Sequence, residues 1–193
     1  SYDIPCLIVT REMEVFQEIM DAAQKYNRPI FRTSLSTTKF VSKLINYLEN
    51  ELAPTITLHG VLVDVNGIGI LILGESGVGK SETALELVKR GHRLVADDAV
   101  EIKKMDDNTI EGRAPELIKH YLEIRGIGIM DISKLYGMGA VRDSKIVDMV
   151  VQLEEWNMNA SYDRLGIEEQ FTEILGVEIS KLTIPVRPGR NLA

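Results

Sequence analysis

Apolar positions along the chain follow two rhythms, and the switch between them divides it. From Glu12 to Asn27, Val15, Phe16, Ile19, Met20 and Ala23 recur at spacings of three and four, predicting an amphipathic helix that Pro29 stops. Short apolar runs flank it, Cys6-Leu7-Ile8-Val9 before and Ile30-Phe31-Arg32-Thr33 after, and both read as strands. Ser36-Thr37-Thr38 offers N-cap residues for a second helix with Phe40, Val41, Leu44, Ile45 and Leu48 on its inner face. Ala53-Pro54 ends that helix and marks the predicted domain boundary, with residues 1–53 forming the end of one unit plus a connecting helix. The chain opens without Met directly into an apolar run, as a strand entered part-way through a fold reads.

Beyond Pro54 the pattern turns β-rich. His59 to Val65 and Ile68 to Leu73 are nearly continuous apolar runs joined by Asn66-Gly67, a strong hairpin signal. This arrangement would set His59, on the strand before the one entering the glycine-rich loop, beside that loop. Gly74 to Ser81 is the loop, Glu82 to Arg90 has helical composition, and Gly91 is placed to cap it. Arg93 to Ala96 predicts a short strand running into Asp97-Asp98. Val100–Lys103 and Thr109–Glu111 predict a hairpin around Asp106-Asp107-Asn108. Pro115 to Tyr121 reads as the start of a helix, since proline is tolerated in a first turn. Gly126, Gly128, Gly137 and Gly139 then punctuate a loop-rich stretch, and Val147–Leu153 and Lys181–Val186 read as later strands. The order is mixed α/β with several hairpins, not a strict strand–helix alternation.

Composition narrows the classes. The chain has 193 residues, 45% apolar and 26% charged, which is ordinary for a folded protein. A net charge of -7 and a pI near 5.1 argue against coating nucleic acid or anionic lipid, though not against one phosphate compound in a local basic pocket. The lone cysteine, Cys6, permits no internal disulfide and suits a reducing cytoplasm. No apolar run approaches a membrane span.

The sharpest chemistry lies in Gly74-Glu75-Ser76-Gly77-Val78-Gly79-Lys80-Ser81, which matches G-x-x-x-x-G-K-[ST] at every defined position. Glycines let the backbone turn its N–H groups onto a phosphate, and the following helix adds its positive end. Lys80 would reach phosphate oxygens and the Ser81 hydroxyl would ligate Mg²⁺. Asp97 and Asp98 follow Lys80 by 17 and 18 residues. One carboxylate could serve the metal or its water shell while its neighbour receives a proton; the alternative is a polar strand end in solvent. His59 is either a structural hydrogen-bonder or part of the site. Glu123 and Arg125 read as metal ligand and phosphate clamp, or as a solvated helix end. Arg164, Arg187 and Arg190 stand in turn-like segments. At this level two readings stay open: a phosphotransferase acting on a small metabolite and a non-catalytic nucleotide sensor.

The loop continues as Glu82-Thr83-Ala84-Leu85-Glu86-Leu87 and on through Arg90-Gly91-His92-Arg93-Leu94-Val95-Ala96-Asp97-Asp98. His59-Gly60-Val61-Leu62-Val63-Asp64 precedes it, and Leu122-Glu123-Ile124-Arg125-Gly126-Ile127-Gly128-Ile129 comes after. Together these segments resemble the bacterial HPr kinase/phosphorylase family, and the likeness covers nearly the whole chain, from Leu35 to Ala193.

The resemblance implies a cytoplasmic hexamer that uses ATP or pyrophosphate, with Mg²⁺, to phosphorylate a serine of the phosphocarrier protein HPr. It implies the reverse as well, in which inorganic phosphate removes that group and pyrophosphate leaves, and a place in carbon catabolite repression. The implied fold is a P-loop-containing, mixed, barrel-like sheet with helices on one side, like phosphoenolpyruvate carboxykinase around the loop. Carried over by position, Lys80 is the P-loop lysine, and Ser81 and Glu123 are the Mg²⁺ ligands. Asp98 is the proton acceptor, or donor in reverse, and His59 and Arg164 complete the active site. Leu122–Asp131 matches a signature tied to both activities, and Pro185–Arg190 one tied mainly to dephosphorylation. Residues 54–193 would be the catalytic domain lacking its C-terminal strand and helix, and residues 1–53 the end of an N-terminal domain.

Overall fold

The computed structural model describes residues 4–156 and 170–187, and the chain divides into two compact units, residues 1–53 and 54–193. In the first unit β1 (Leu7–Val9) and β2 (Ile30–Arg32) pair in parallel, Leu7 opposite Ile30, with α1 (Gln17–Lys25) as the crossover and α2 (Thr37–Glu51) following. Helix α1 starts five residues later than its apolar periodicity suggests. Arg11 and Glu12 hold left-handed φ of 59° and 57° and donate their N–H groups to Leu35 O and Thr33 O, which takes them out of a helical ladder. The predicted inner face of α2 is not inner: Val41, Leu44, Ile45 and Leu48 are exposed, and no residue of α1 or α2 is buried. Two strands and two helices offer too little surface to enclose both helical stripes.

The second unit is built on β-sheet. Its strands are β3 (Thr55–His59), β4 (Val61–Val65), β5 (Ile68–Gly74), β6 (Arg93–Ala96), β7 (Ala99–Lys104), β8 (Ile110–Arg113), β9 (Tyr121–Ile124), β10 (Gly128–Asp131), β11 (Ser144–Ile146), β12 (Met149–Glu155), β13 (Gln170–Ile174) and β14 (Val177–Val186). Helix α3 (Lys80–Lys89) follows β5, and a short α4 (Ile132–Tyr136) follows β10. A six-stranded mixed sheet has the order β13-β14-β12-β5-β4-β6, with β5, β12 and β14 parallel. An antiparallel sheet has the order β11-β8-β7-β3, and β9 and β10 form a separate hairpin.

The continuous apolar runs have a direct cause. Strand β4 buries Leu62 in one core with Val100, Ile102, Ile110 and Val150, while its neighbours Val61 and Val63 enter a second core with Ala84, Val88, Leu122 and Ile132. Leu71 and Ile72 of β5 divide in the same way. A strand covered on both faces loses polar alternation. The β4–β5 turn has Asn66 and Gly67 at φ 53° and 91°, as a primed hairpin turn requires. Asp64 ties it down, accepting from Gly67 N–H at 2.7 Å and from Arg142 Nη1 at 2.6 Å.

Two further expectations are corrected. Pro115–Tyr121 does not begin a helix: one 3-10 turn at Glu116–Ile118 leads into strand β9. His120 there holds a left-handed φ of 69°, which stops helical propagation. The stretch read as loop contains the β9–β10 hairpin and α4, the latter capped by Asp131 accepting from Lys134 N–H. Among the described residues no helix is long and apolar enough to cross a membrane.

Candidate functional site

Strand β5 delivers the chain at Gly74 into the glycine-rich loop, and α3 starts at Lys80 behind Gly79. Gly77 sits at φ 87°, a backbone conformation that favours glycine, and a Cβ there would stand 3.1 Å from Arg125 Nη1. Lys80 folds back over the loop and donates from Nζ to Gly74 O at 2.9 Å and Glu75 O at 3.0 Å. An ammonium has three N–H donors, so one is left for a ligand in the cleft. Burial pulls the Lys80 pKa down, and attraction to Asp97, Asp98 and Glu82 offsets that only in part.

Adjacent aspartates at the end of β6 have opposite fates. Asp97 is 3% exposed and continues the buried register of the strand. Its Oδ1 accepts from the Ser81 hydroxyl at 2.8 Å and its Oδ2 from Glu123 N–H at 2.9 Å. Burial raises its pKa, against the opposing effect of these hydrogen bonds. Asp98 turns through a left-handed φ of 67° and points its carboxylate into the open cleft, with its side chain 63% exposed. The strand end thus separates a buried tie from an accessible carboxylate.

His59 reaches the cleft by a different route from the one its position in sequence suggests. It ends β3, which pairs with β7 in the antiparallel sheet, His59 opposite Ala99, and is not on the hairpin partner of β5. Gly60 separates it from β4, and Gly60 N–H donates to Asp98 O at 3.2 Å. His59 Nδ1 lies 2.9 Å from that same carbonyl oxygen.

The β9–β10 hairpin supplies the remaining wall. Leu122 and Ile124 face the core, so Glu123 faces out, and both Glu123 and Arg125 line the cleft with Ser76, Lys80, Ser81 and Asp98. Arg125 Nη2 donates to Ser76 Oγ at 3.2 Å, bracing the loop from across the cleft. Arg187 does not line this cleft; its guanidinium stacks on the Trp156 ring at 3.8 Å from the centroid. Arg164 and Arg190 lie outside the described residues. Glu82, in the first turn of α3, lines the cleft and was not singled out from the sequence. Its only signal was an acidic residue following the loop's serine.

Among the described residues no group of three His, Cys, Asp or Glu side chains is placed to grip a metal unaided. The donor set fits Mg²⁺ nonetheless. Ser81 gives its proton to Asp97 and so keeps oxygen lone pairs for the cleft, while Glu123 adds a carboxylate there. Mg²⁺ binds through few protein oxygens, completed by water and phosphate.

Strand, glycine-rich loop and helix, with the loop's lysine folded over its own turn, match the G-x-x-x-x-G-K-[ST] pattern in their order as well as in sequence. The comparisons narrow this further. The family model described as HPr Serine kinase C-terminal domain matches residues 50–193, and that described as HPr Serine kinase N terminus matches residues 1–48. The chain therefore belongs to the HPr kinase/phosphorylase family. It is 63% identical over all 193 residues to the HPr kinase/phosphorylase of Caldanaerobacter subterraneus subsp. tengcongensis, covering 63% of that protein. It is 58% identical over 189 residues to that of Bacillus subtilis, covering 98% of this chain and 61% of the relative. The chain thus spans under two thirds of the length of these relatives. The solved structure of the Hpr(Ser) kinase/phosphatase from Coxiella burnetii aligns with a TM-score of 0.65 at 37% identity, over 71% of this chain and 83% of that one.

Proposed function

We propose that residues 54–193 hold the catalytic centre of a cytoplasmic, oligomeric protein-serine kinase/phosphorylase acting on HPr, and that residues 1–53 are the end of its N-terminal domain. The whole protein would be a hexamer serving carbon catabolite repression. The observation that carries this reading is the convergence of Lys80, Ser81, Glu123, Asp98 and His59 on one cleft from four separate elements.

Lys80 and the loop N–H groups bind the phosphates of ATP or pyrophosphate and draw off charge as the phosphoryl group passes. Ser81 and Glu123 would hold Mg²⁺, which when bound would neutralise phosphate charge. Asp98, exposed at the cleft, takes the proton of the incoming serine hydroxyl as the serine oxygen–phosphorus bond forms and the bond to the nucleotide's leaving phosphate breaks. In the reverse direction an oxygen of inorganic phosphate attacks the phosphoserine phosphorus. The bond to the serine oxygen breaks, Asp98 returns its proton to that oxygen, and pyrophosphate leaves. His59 holds Asp98 in place, and Arg164 would add positive charge from outside the described residues. Arg187 and Arg190 belong to the segment read as serving dephosphorylation.

The Coxiella burnetii protein and the curated relatives support this reading by name, and the open placement of Asp98 favours a protein acceptor over a small metabolite. Incubation with Mg²⁺-ATP and purified HPr, followed by mass, should yield phosphoserine that disappears with pyrophosphate release when excess phosphate is added. Nucleotide binding with neither reaction would overturn the proposal in favour of a nucleotide sensor.

A further inference from the structure

We infer that the outer face of the β9–β10 hairpin, with Ile127 and Ile129 as its anchors, seats the body of the acceptor protein next to the cleft; the inference rests on the function proposed above. The hairpin has two faces of different character. Leu122 and Ile124 are buried beneath it, which accounts for the core-facing positions. Its solvent face carries Ile129 at 71% exposure, Ile127 at 70% and Tyr121, also exposed. Among the described residues nothing packs over these side chains to require branched aliphatic residues there, and neighbouring exposed apolar side chains mark contact surfaces.

Position makes this face specific to the acceptor. Ile129 stands directly opposite Glu123 in the antiparallel ladder, so their side chains share one face, and Tyr121 lies two residues before Glu123 on that face. Ile127 lies two residues beyond Arg125, in the turn closed by its own N–H to Ile124 O at 3.0 Å. The residues lining the cleft and the apolar rim therefore alternate along a single hairpin.

The cleft itself leaves its acceptor side uncovered. The side chains of Asp98 and His59 are 63% and 55% exposed, so among the described residues no wall encloses a small acceptor. An acceptor hydroxyl carried on a folded protein brings its own cover, and the surface around that serine must then meet the rim. A rim of two isoleucines and a tyrosine fits a protein with an apolar patch beside its serine, and a few such anchors dominate binding.

The test uses the whole chain with Ile127→Ser and Ile129→Ser combined, both at exposed positions, and a conservative Ile127→Leu/Ile129→Val control. Phosphorylation of purified HPr is measured at saturating Mg²⁺-ATP, with titration of a fluorescent ATP analogue and sedimentation alongside. The serine variant should raise KM for HPr by roughly tenfold or more, while nucleotide affinity and sedimentation stay at wild-type values and the control stays within about twofold of wild type. An unchanged KM for HPr overturns the inference. So does a change in sedimentation, which would assign the face to contacts between copies of this chain. Failure of the wild-type chain to phosphorylate HPr would overturn the function proposed above, and this inference with it.

Discussion

His59 Nδ1 lies 2.9 Å from the carbonyl oxygen of Asp98 and 3.1 Å from that residue's carboxylate Oδ1. A carbonyl can only accept, so Nδ1 carries a proton and shares it between the two oxygens. Asp98 holds a left-handed φ of 67°, a conformation a non-glycine residue keeps only when its surroundings impose it. The imidazole and Gly60 N–H, both bonded to the Asp98 carbonyl, supply that constraint.

If Asp98 is the base, Asp98→Asn should lower phosphorylation of HPr by about 10²–10⁴-fold while nucleotide binding stays nearly unchanged. His59→Ala should cost less, on the order of 10-fold, because the backbone bond from Gly60 survives. Rates are read by phosphoserine formation and affinity by titration with an ATP analogue. Wild-type rates in Asp98→Asn would remove it as the proton acceptor.

Asp97 presents the opposite case. Its raised pKa means the folded chain binds a proton more readily than the unfolded chain, whose carboxyl titrates near 3.8. The linked stability is present below that value and declines as pH rises through the raised folded value. In Asp97→Asn the amide oxygen can accept from Glu123 N–H while its NH₂ donates to Ser81 Oγ, which then accepts. The variant should therefore melt no lower than wild type at neutral pH, with a flatter dependence on pH between acid and neutral. Because Ser81 would spend a lone pair on the amide, Mg²⁺-dependent phosphorylation should fall steeply. A melting temperature well below wild type at pH 7, measured by circular dichroism, would contradict the assignment of burial as the dominant effect.

How far these relationships were legible in the sequence depends on the range of the cause. The Gly74–Ser81 motif, the Asn66-Gly67 turn and the apolar runs of β4 and β5 are local, and the structure has each where it was read. The residues alone leave the division of labour between Asp97 and Asp98 open, and only the family resemblance singles out Asp98, because the division depends on Ser81 and on Glu123, 26 residues away. His59 was placed beside the loop through the wrong strand pairing. Gly60 ends β3, and only the non-local ladder with β7 shows that the side chain arrives from the antiparallel sheet. Pro115 gave a helix-start signal that lasts for one 3-10 turn, since Leu122 and Ile124 bury better in a strand against α3 and α4. Strand β13 was missed because Gln170–Ile174 is mostly polar, and only its pairing with β14 makes it a strand.

The loop offers a sharper test than its lysine. Gly77→Ala combines a backbone conformation unfavourable to alanine, about 1 kcal/mol, with a Cβ placed 3.1 Å from Arg125 Nη1. Arg125 Nη1, the end of a flexible side chain, must give by a few tenths of an ångström, which loosens the neighbouring bond from Nη2 to Ser76 Oγ. Nucleotide affinity should drop by roughly tenfold, while the melting temperature falls by only a few degrees. Arg125→Ala should relieve the crowding, so the double variant should bind nucleotide no worse than Arg125→Ala alone. Strictly additive losses in that cycle would show that the two residues are not coupled.

The pair of buried Asp64 and exposed Arg142 bears on the scaffold alone. Asp64 is 5% exposed, yet its pKa is lowered. Burial pushes it up, but the bonds from Arg142 and Gly67 N–H, with attraction to Lys145 and Arg142, outweigh that. Its contribution is therefore complete above pH 3.8 and disappears as pH falls through the lower folded value. Asp64→Ala leaves Gly67 N–H without its acceptor and Arg142 with only its bond to Ser144 O, and should cost about 1–3 kcal/mol at neutral pH. Arg142→Ala should cost a comparable amount, and the double variant less than the sum. Because β4 and β5 carry the loop at their far end, nucleotide affinity at temperatures where the variant remains folded should match wild type. Urea unfolding at pH 7 and pH 3 checks the sign: the deficit of Asp64→Ala should shrink in acid, and a deficit that grew there would show that packing, and not the charge pair, holds the turn.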